Sequence, residues 1–587
     1  MSSTEEAIDD TTTPTRTAIG LSFGNSYSSI AFTPETSSGP SVIANEEGDR
    51  QIPTILSYVG GEEYHGTQAK AQIVRNPRNT ITSFRDFVGK TFAEIDPSPC
   101  HASAHPEERD GKVVFAVQEK VAGDEEGAEA PEKSLLSVHE VTSRHLRRLK
   151  QSAGDYLGKD VNAAVITIPS DFNEKQKSAL TAAAKDAGIE VLQYISEPIA
   201  ALLAHDAKQQ MADESAASTT KDKVVLVADL GGTRSDVAVV ASRGGIYTTL
   251  ATAHDYELGG VALDKVLIEY AAKEFQKKHK NAADPRSNER SLSKLTLEAE
   301  AVKKALSLGA SASFSIESLA DGIDFSLTVN RTRFELLANK AFMSFTRLIS
   351  SAVQKAGLDV LDIDEVLLSG GTSHVPKIAS NLSAHFPEST VVIAPSTSST
   401  AVNPSELTAR GAAIQASLIT SFEVPEIEAS TEAVVTVTPH LHQAIGLVTG
   451  SDGFVPIIDA ETPVPVRRTA QISTAEGGDM LIRLAEGERE IKVSTPEKAA
   501  TNGTKKDDED DDDDSDDEPE EVREKVWKPG KVLAEAGLKG VKKGGKVEVQ
   551  INVANDLAVT LVVREAGKKE GVRGSLGAAK AEANGKA

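Results

Sequence analysis

The chain has 587 residues, 39% hydrophobic, 26% charged and only 4% aromatic, which is enough for about three or four domains with interiors rich in Ala, Val and Leu. Its net charge of −25, much of it in Asp507 to Glu521 where thirteen of fifteen residues are acidic, argues against direct nucleic-acid binding. A single cysteine, Cys100, excludes an internal disulfide or a cysteine-built metal site; Met1 to Thr15 has no targeting pattern, and no run nears the ~20 apolar residues of a membrane span, so a cytoplasmic chain without a membrane partner is expected.

Residues 1–16 are expected to be a disordered tail. From 17 to 421 short β-rich runs alternate with amphipathic helices, as in a layered α/β fold. Thr17–Phe32 is apolar, turns through Gly24-Asn25-Ser26, and is apolar again. The polar segments 101–132 and 208–222 read as surface loops, with a strand at Val113–Val117 inside the first. His145, Arg147 and Arg148 lie on a helix from about Val138 and read as a solvated face. A strand, Val161–Ile168, ends at Pro169; the next helix carries Asn173 and Gln176 at the spacing of a capping pair and stops at Gly188.

Val224–Val240 repeats the first pattern around Gly231-Gly232-Thr233. Here the strand ends with a carboxylate, Asp229, where the first copy has only the Ser22 hydroxyl. Phe334, Leu337, Ala341, Phe345, Leu348 and Ala352 predict one helix over 334–356, stopped by Gly357. The strand Glu365–Ser369 runs into a third glycine turn, Gly370-Gly371, and a helix from Pro376.

Residues 422–439 read as an interdomain linker, and their apolar centre, Ala433–Val437, reads equally well as an edge strand. Residues 440–566 form a β-rich domain in two stretches, His440–Ser494 and Val526–Glu565, separated by an acidic insertion over 500–521 that self-repulsion should keep extended. Val547, Val549, Ile551 and Val553, a turn at Asn555-Asp556, and Leu557, Val559, Leu561 and Val563 predict a hairpin. Residues 567–587 are expected to be a second disordered tail. His440 and His442, with no acidic or cysteine partner in the pattern, are a poor metal pair.

Glycine turns at strand ends let backbone N–H groups approach an anion, and two that face one another could hold a polyphosphate from both sides. The order of the three turns resembles the actin-like nucleotide-binding superfamily. Within it, Ile19-Gly-Leu-Ser-Phe-Gly-Asn-Ser-Tyr27, Ile166-Thr-Ile-Pro-Ser-Asp-Phe-Asn173, Ile195-Ser-Glu-Pro-Ile-Ala-Ala201, Val227-Ala-Asp-Leu-Gly-Gly232, Glu257-Leu-Gly-Gly260, Leu368-Ser-Gly-Gly-Thr-Ser-His-Val-Pro-Lys377 and Arg410-Gly-Ala-Ala-Ile-Gln-Ala416 resemble the DnaK-type seventy-kilodalton heat-shock chaperones. The resemblance implies a two-lobed actin-like nucleotide-binding domain followed by a β-sandwich. The family's closing helical lid has no counterpart pattern before Ala587.

By that resemblance Gly24, Asn25 and Ser26 match one phosphate turn; Gly231, Gly232, Thr233 and Arg234 match the other. Gly370, Gly371 and Thr372 match the adenosine turn, and Glu300, Lys303, Lys304 and Ser307 a helix face that contacts adenine and ribose. The hydrolytic positions depart. The family's metal-organising aspartate is matched by Ser22, its water-placing lysine by Arg85, and its phosphate-side threonines by Asn25 and Arg234. Glu197, Asp229 and Asp236 are retained as possible metal carboxylates.

These departures imply ATP binding with Mg2+ dispensable and little or no hydrolysis, with Arg234 free to meet the phosphates directly. Together with the missing lid they resemble the atypical branch found in the fungal ribosome-associated complex. That branch implies a stable heterodimer with a J-domain protein, zuotin, which brings it to the ribosome and nascent polypeptide. The alternatives are a conventional ATP-hydrolysing chaperone for unfolded polypeptides and, less well matched because of the β-rich domain, a metabolite kinase of the same superfamily.

Overall fold

The structure, a computed structural model, describes residues 16–34, 39–100, 102–119, 133–212, 222–431, 439–450, 453–474, 476–494, 522–568 and 570–576. Contacts divide the chain into two units, Met1–Val240 with Thr249–Glu432, and Ala241–Thr248 with Ala433–Ala587.

Two sheets of the first unit follow one plan. Strand β1 (Ala18–Phe23) turns back into β2 (Tyr27–Phe32), beside which lies β3 (Ser41–Ile43). The chain then crosses over, through helix α1 (Val138–Leu157), to β4 (Ala163–Ile168), parallel to β1 on its free side. Helix α2 (Glu174–Asp186) leads to β5 (Glu190–Ser196), parallel to β4. After α3 (Glu197–Ala212) the same order recurs: β6 (Lys223–Leu230), β7 (Ser235–Arg243) and β8 (Ile246–Asp255) are neighbours in sequence order, and β9 (Glu365–Ser369) and β10 (Val391–Ile393) add in parallel on the other side of β6. Strands β4, β6 and β7 are almost wholly buried, as parallel and central strands covered on both faces should be.

Helices α4 (Gly260–Lys278), α5 (Glu289–Leu308), α6 (Arg331–Leu337), α7 (Asn339–Lys355) and α8 (Pro376–His385) pack around the second sheet with the core of Phe275, Phe314, Phe334, Phe342 and Phe345. The single helix expected over 334–356 is two helices with a break at Ala338. Residues eight apart on an unbroken helix would point about 80° apart around its axis. The break lets Phe334 and Phe342 both face the core, with rings edge-on at 6.0 Å.

Helix α9 (Leu407–Ile419) follows the second sheet in sequence but packs on the first: Ala412 and Ala416 lie with Ala18, Ala163 and Val165, and Ala409 and Ala413 with Ala31 and Val42. It also crosses α3. Both approaches need glycine. A Cβ on Gly20 would stand 2.1 Å from Ala413 N, and one on Gly411 would stand 1.8 Å from Ala200 O. The first part of the expected linker is helix α10 (Val424–Thr431), whose Ile427 is buried with Ile419 and Ala163.

In the second unit two four-stranded antiparallel sheets enclose one core. One holds β11 (Ala444–Val448), β12 (Phe454–Ile458), β14 (Gly478–Ser494) and β15 (Val522–Val541); the other holds β13 (Val466–Ser473), β16 (Lys546–Val553), β17 (Val559–Glu565) and β18 (Val572–Leu576). The predicted hairpin is β16–β17, with Val553 opposite Val559 and Val547, Val549, Val553 and Val563 buried; Leu557, expected on the return strand, lies instead in the loop, exposed and with φ +63°.

Further expectations differ from the structure. The segment 101–132 includes a second strand, Pro106–Arg109, paired with Lys112–Val117. The expected tail 567–587 includes β18, which adds to the open edge of β17; backbone pairing of this kind leaves no side-chain alternation to read. Of the second polar segment, residues 208–212 are the last turn of α3 rather than loop; the rest of that tail, residues 1–15, the apolar centre of the linker, the acidic insertion, and residues 120–132 and 213–221 of the polar segments lie outside the described residues. Replacing Gly411 by alanine is expected to lower stability by about 1–3 kcal/mol through overpacking at the α3–α9 crossing, read as a lower midpoint in denaturant unfolding.

Candidate functional site

The turns after β1 and β6 are each closed by one backbone bond, Gly24 N–H to Tyr27 O at 3.1 Å and Gly231 N–H to Arg234 O at 3.0 Å. They face one another. A Cβ on Gly232 would stand 2.3 Å from Ser26 Oγ, and Asn25 Nδ2 donates to Thr233 Oγ1 at 3.2 Å. The other end of Asn25, Oδ1, accepts from Asp86 N–H at 3.3 Å and so ties the Arg85–Phe87 turn to the same place.

The third turn closes on the second. Gly370 has φ +82°, and a Cβ there would stand 2.3 Å from Leu230 O, so only glycine fits. Thr372 Oγ1 donates to Gly231 O at 2.8 Å, Gly260 N–H to the same oxygen at 3.0 Å, and Val261 N–H to Gly232 O at 2.8 Å. Because trans peptide planes hold C=O and N–H antiparallel, carbonyls tied back in this way turn the N–H groups of Gly232 and Thr233 in the opposite direction. Backbone donors aimed this way form an anion-binding concavity.

Around these turns Arg234 and Asp236 are buried, with Asp171 and Tyr256 at the exposed margin. Arg234 does not extend freely as expected: Nε donates to Asp236 Oδ2 at 2.7 Å and Nη2 to Asp236 Oδ1 at 2.5 Å and to Asp171 Oδ1 at 2.8 Å. Its guanidinium stands 4.6 Å over the Tyr256 ring, and Tyr256 donates its hydroxyl proton to Asp171. Against burial, these carboxylates hold Arg234 charged, its pKa raised further. Burial disfavours charge on Asp236 as well, but both its oxygens accept from the guanidinium fork, which favours the carboxylate.

Glu197, at the start of α3, and Asp229, at the end of β6, have no such fork. Burial pushes the Glu197 carboxyl up to about 8, only partly opposed by Arg85, and burial likewise raises Asp229. Arg85 is 4% exposed, paired with Asp86 at 3.2 Å, and its Nη1 has no hydrogen-bond partner. Ser22 accepts from Thr408 Oγ1, on α9, at 3.0 Å.

On α5, Glu300 and Lys304 reach across to the first half: Glu300 accepts from the Tyr27 hydroxyl and pairs with Lys70 at 2.5 Å, and Lys304 Nζ donates to Tyr27 at 2.9 Å. Despite burial, the two lysines hold the Glu300 carboxyl well below the usual range. Lys303 turns inward to Asp264 at 2.8 Å and Gly260 O at 3.0 Å, and Ser307 donates to Lys303 O. So Glu300 and Lys304 share a task, while Lys303 braces the glycine turns.

Sequence reading missed Lys70, Asp264 and the role of Tyr27. A lone lysine on a short surface helix gives no signal. Asp171 and Tyr256 lay inside or beside quoted motifs and could have been found there. His145 is not on a solvated face: it is 1% exposed, between the rings of Phe23 and Phe84, each 5.8 Å away, while Arg147 is exposed. His440 and His442 stack at 5.4 Å, with His440 3.1 Å from Glu461. Among the described residues no group of three or more His, Cys, Asp or Glu could hold a metal ion, and no helix is long and apolar enough to cross a membrane.

A family profile described as Hsp70 protein matches residues 18–501. The chain belongs to the Hsp70 family. It is 45% identical over 558 residues to the ribosome-associated complex subunit SSZ1 of Saccharomyces cerevisiae, covering 95% of this chain and 99% of that protein. A heat shock protein 70 homolog of Schizosaccharomyces pombe is 42% identical over 562 residues, 95% and 96% of the two chains. A heat shock 70 kDa protein of Neurospora crassa is 31% identical over 477 residues, 81% and 69%.

Hsp70 proteins generally bind ATP with Mg2+. The residues here fit the two components unequally. The backbone N–H groups of Gly232 and Thr233, turned away from their tied carbonyls, and a buried guanidinium N–H of Arg85 without an acceptor suit phosphate oxygens. Of the carboxylates, Asp236 is already gripped by Arg234, which leaves Glu197 and Asp229, without a side-chain fork of their own.

Arg234→Leu leaves Asp171 and Asp236 without their cation and is expected to cost about 3–5 kcal/mol, as removal of one buried ion partner does, read as a lower unfolding midpoint. Glu197 titrates higher in the folded chain than its ordinary value of 4.5, so its stabilising protonated form is fully present below 4.5 and lost as pH rises through about 8. Glu197→Gln, which cannot ionise, is therefore expected to gain thermal stability over the parent as pH rises across that interval and to hold the gain above it. A constant difference at all pH values would contradict this.

Proposed function

We propose that this chain is a non-enzymatic Hsp70 co-chaperone of the cytoplasm: it holds ATP with little or no hydrolysis and without requiring Mg2+. It works as a stable heterodimer with a zuotin-like J-domain protein, through which it reaches the ribosome and nascent polypeptide. One observation carries the nucleotide part. The guanidinium of Arg234 occupies Asp236, a carboxylate otherwise available to a metal, so positive charge beside the phosphates is built into the chain. Phosphoryl transfer needs an in-line water and a cation that follows the developing charge. A fixed fork bonded on both sides supplies charge but no movable Lewis acid, and Ser22 supplies no carboxylate to place one.

The co-translational part is supported by likeness: a relative named as a ribosome-associated complex subunit aligns over nearly all of both chains. In this reading the site residues are Gly24, Asn25, Ser26, Gly231, Gly232, Thr233, Gly370, Gly371 and Thr372 around the nucleotide, with Glu300, Lys303, Lys304 and Ser307 on the adenosine side. Residues 422–439 join the two domains. The β-rich domain can offer an edge to an extended peptide, with fast release if no helical lid closes over it.

A second reading, a conventional ATP-hydrolysing chaperone, is favoured by the retention of Glu197, Asp229 and Asp236 together. Calorimetric titration with ATP is expected to give the same affinity within about threefold in EDTA and in MgCl2, because the cation that neutralises the site is Arg234. Single-turnover assays with labelled ATP should show no cleavage above buffer. Turnover stimulated by a J-domain would establish the second reading. Sedimentation of a cell extract through a ribosome gradient should place the chain with ribosomes and a J-domain protein, and lack of any such partner would undo the co-translational role.

A further inference from the structure

A buried polar chain runs from the first glycine turn into the core, and its proton inventory can be closed. Thr54 Oγ1 lies 2.8 Å from Gly24 O, a carbonyl that can only accept, so the threonine proton points there. Ser28 Oγ, 2.9 Å from Thr54 Oγ1, must then donate to Thr54. His145 Nε2, 3.0 Å from Ser28 Oγ, must in turn be the protonated nitrogen of its ring. Its Nδ1 has no partner. A bare lone pair among phenylalanine rings is a smaller penalty than an orphaned N–H, so the tautomer set by the chain is also the cheaper one. Burial pushes His145 down to about 3, with His65 adding to the effect, and the ring is neutral.

We infer that His145 is a positioning residue for the Gly24-Asn25-Ser26 turn, acting through Ser28 and Thr54 to hold the Gly24 carbonyl away from the phosphate side. Thr54 grips the turn twice, since its own N–H donates to Ser26 O at 3.0 Å. With the Gly24 carbonyl drawn toward Thr54, planarity of the trans peptide aims Asn25 N–H the opposite way. His145 lies on α1, far from the turn in sequence, and makes no contact with the ligand itself. Each hydroxyl between is buried and can donate only one proton, so losing the imidazole donor frees Ser28 to turn its proton to a different acceptor and loosens Thr54.

This inference rests on the nucleotide-holding reading, and two readouts separate them. In the full-length chain, fluorescence titration with a labelled ATP analogue is expected to weaken by about tenfold in His145→Leu and in Thr54→Val, and to stay within about threefold in His145→Gln and Thr54→Ser, which keep a donor at each position. Independently of any nucleotide, nitrogen-resolved NMR should show His145 protonated at Nε2, and the amides of Asn25 and Ser26 should shift in the first pair of variants but not in the second. An Nδ1-protonated ring, parental affinity in both apolar variants, or equal loss in the conservative ones would overturn the assignment. Should His145→Leu fail to fold, the Thr54 pair decides. If the parent binds no analogue while the tautomer and amide shifts appear as stated, the nucleotide reading fails and the positioning chain stands.

Discussion

The site depends on how closely two backbone turns approach one another. Gly232 lies where any side chain would strike Ser26, and Asn25 bonds across the gap to Thr233. Two sheets of the same strand order can bring such turns together only if the helices between them also pack without side-chain bulk, and α9 meets β1 at Gly20 and α3 at Gly411 for that reason. Glycine thus serves one purpose throughout the unit: at the turns, as at the crossing, it lets chain segments approach more closely than any Cβ would allow.

The charges follow from that closeness. Bringing the chain after β4 and β5 to the end of β6 and the start of β7 collects Glu197 and Asp236 out of water, with Asp229 half-buried beside them and Asp171 at the exposed margin. Two solutions coexist. Asp171 and Asp236 are neutralised by Arg234 with short, charge-assisted bonds, whereas Glu197 and Asp229 are driven toward the neutral acid by burial. Arg85 stands between these solutions, buried beside them with a donor unspent.

Local rules carried the reading of the elements a long way. Asn173 and Gln176 form a reciprocal capping box, and the β16–β17 hairpin lies in the register its alternating valines require. The glycine turns and the family were legible because backbone demands limit which residues can stand there. What failed was tertiary. The break at Ala338 is set by which phenylalanines must reach one core, and β18 is set by an open strand edge elsewhere. His145 looked polar on a helix with arginines nearby, and only the packing of α1 against β2 reveals a buried donor with a bonded partner. Arg234 was legible as a departure, but its direction was not, because Asp236 lies two residues along the same strand and Asp171 comes from a separate loop.

The guanidinium of Arg234 and a metal ion differ in more than geometry. A metal comes and goes with the nucleotide, so its charge is part of the ligand's cycle; Arg234 is covalently part of β7's entry and stays bonded to two carboxylates. Whatever anion enters therefore meets a field that is already in place and does not change on exchange of the bound species. Meanwhile Glu300, Lys304, Lys70 and Tyr27 join the two halves by contacts within the chain itself. The relation between the halves is therefore set in part by the chain's own side chains, through ion pairs and a shared tyrosine hydroxyl that are separate from the charge carried by Arg234.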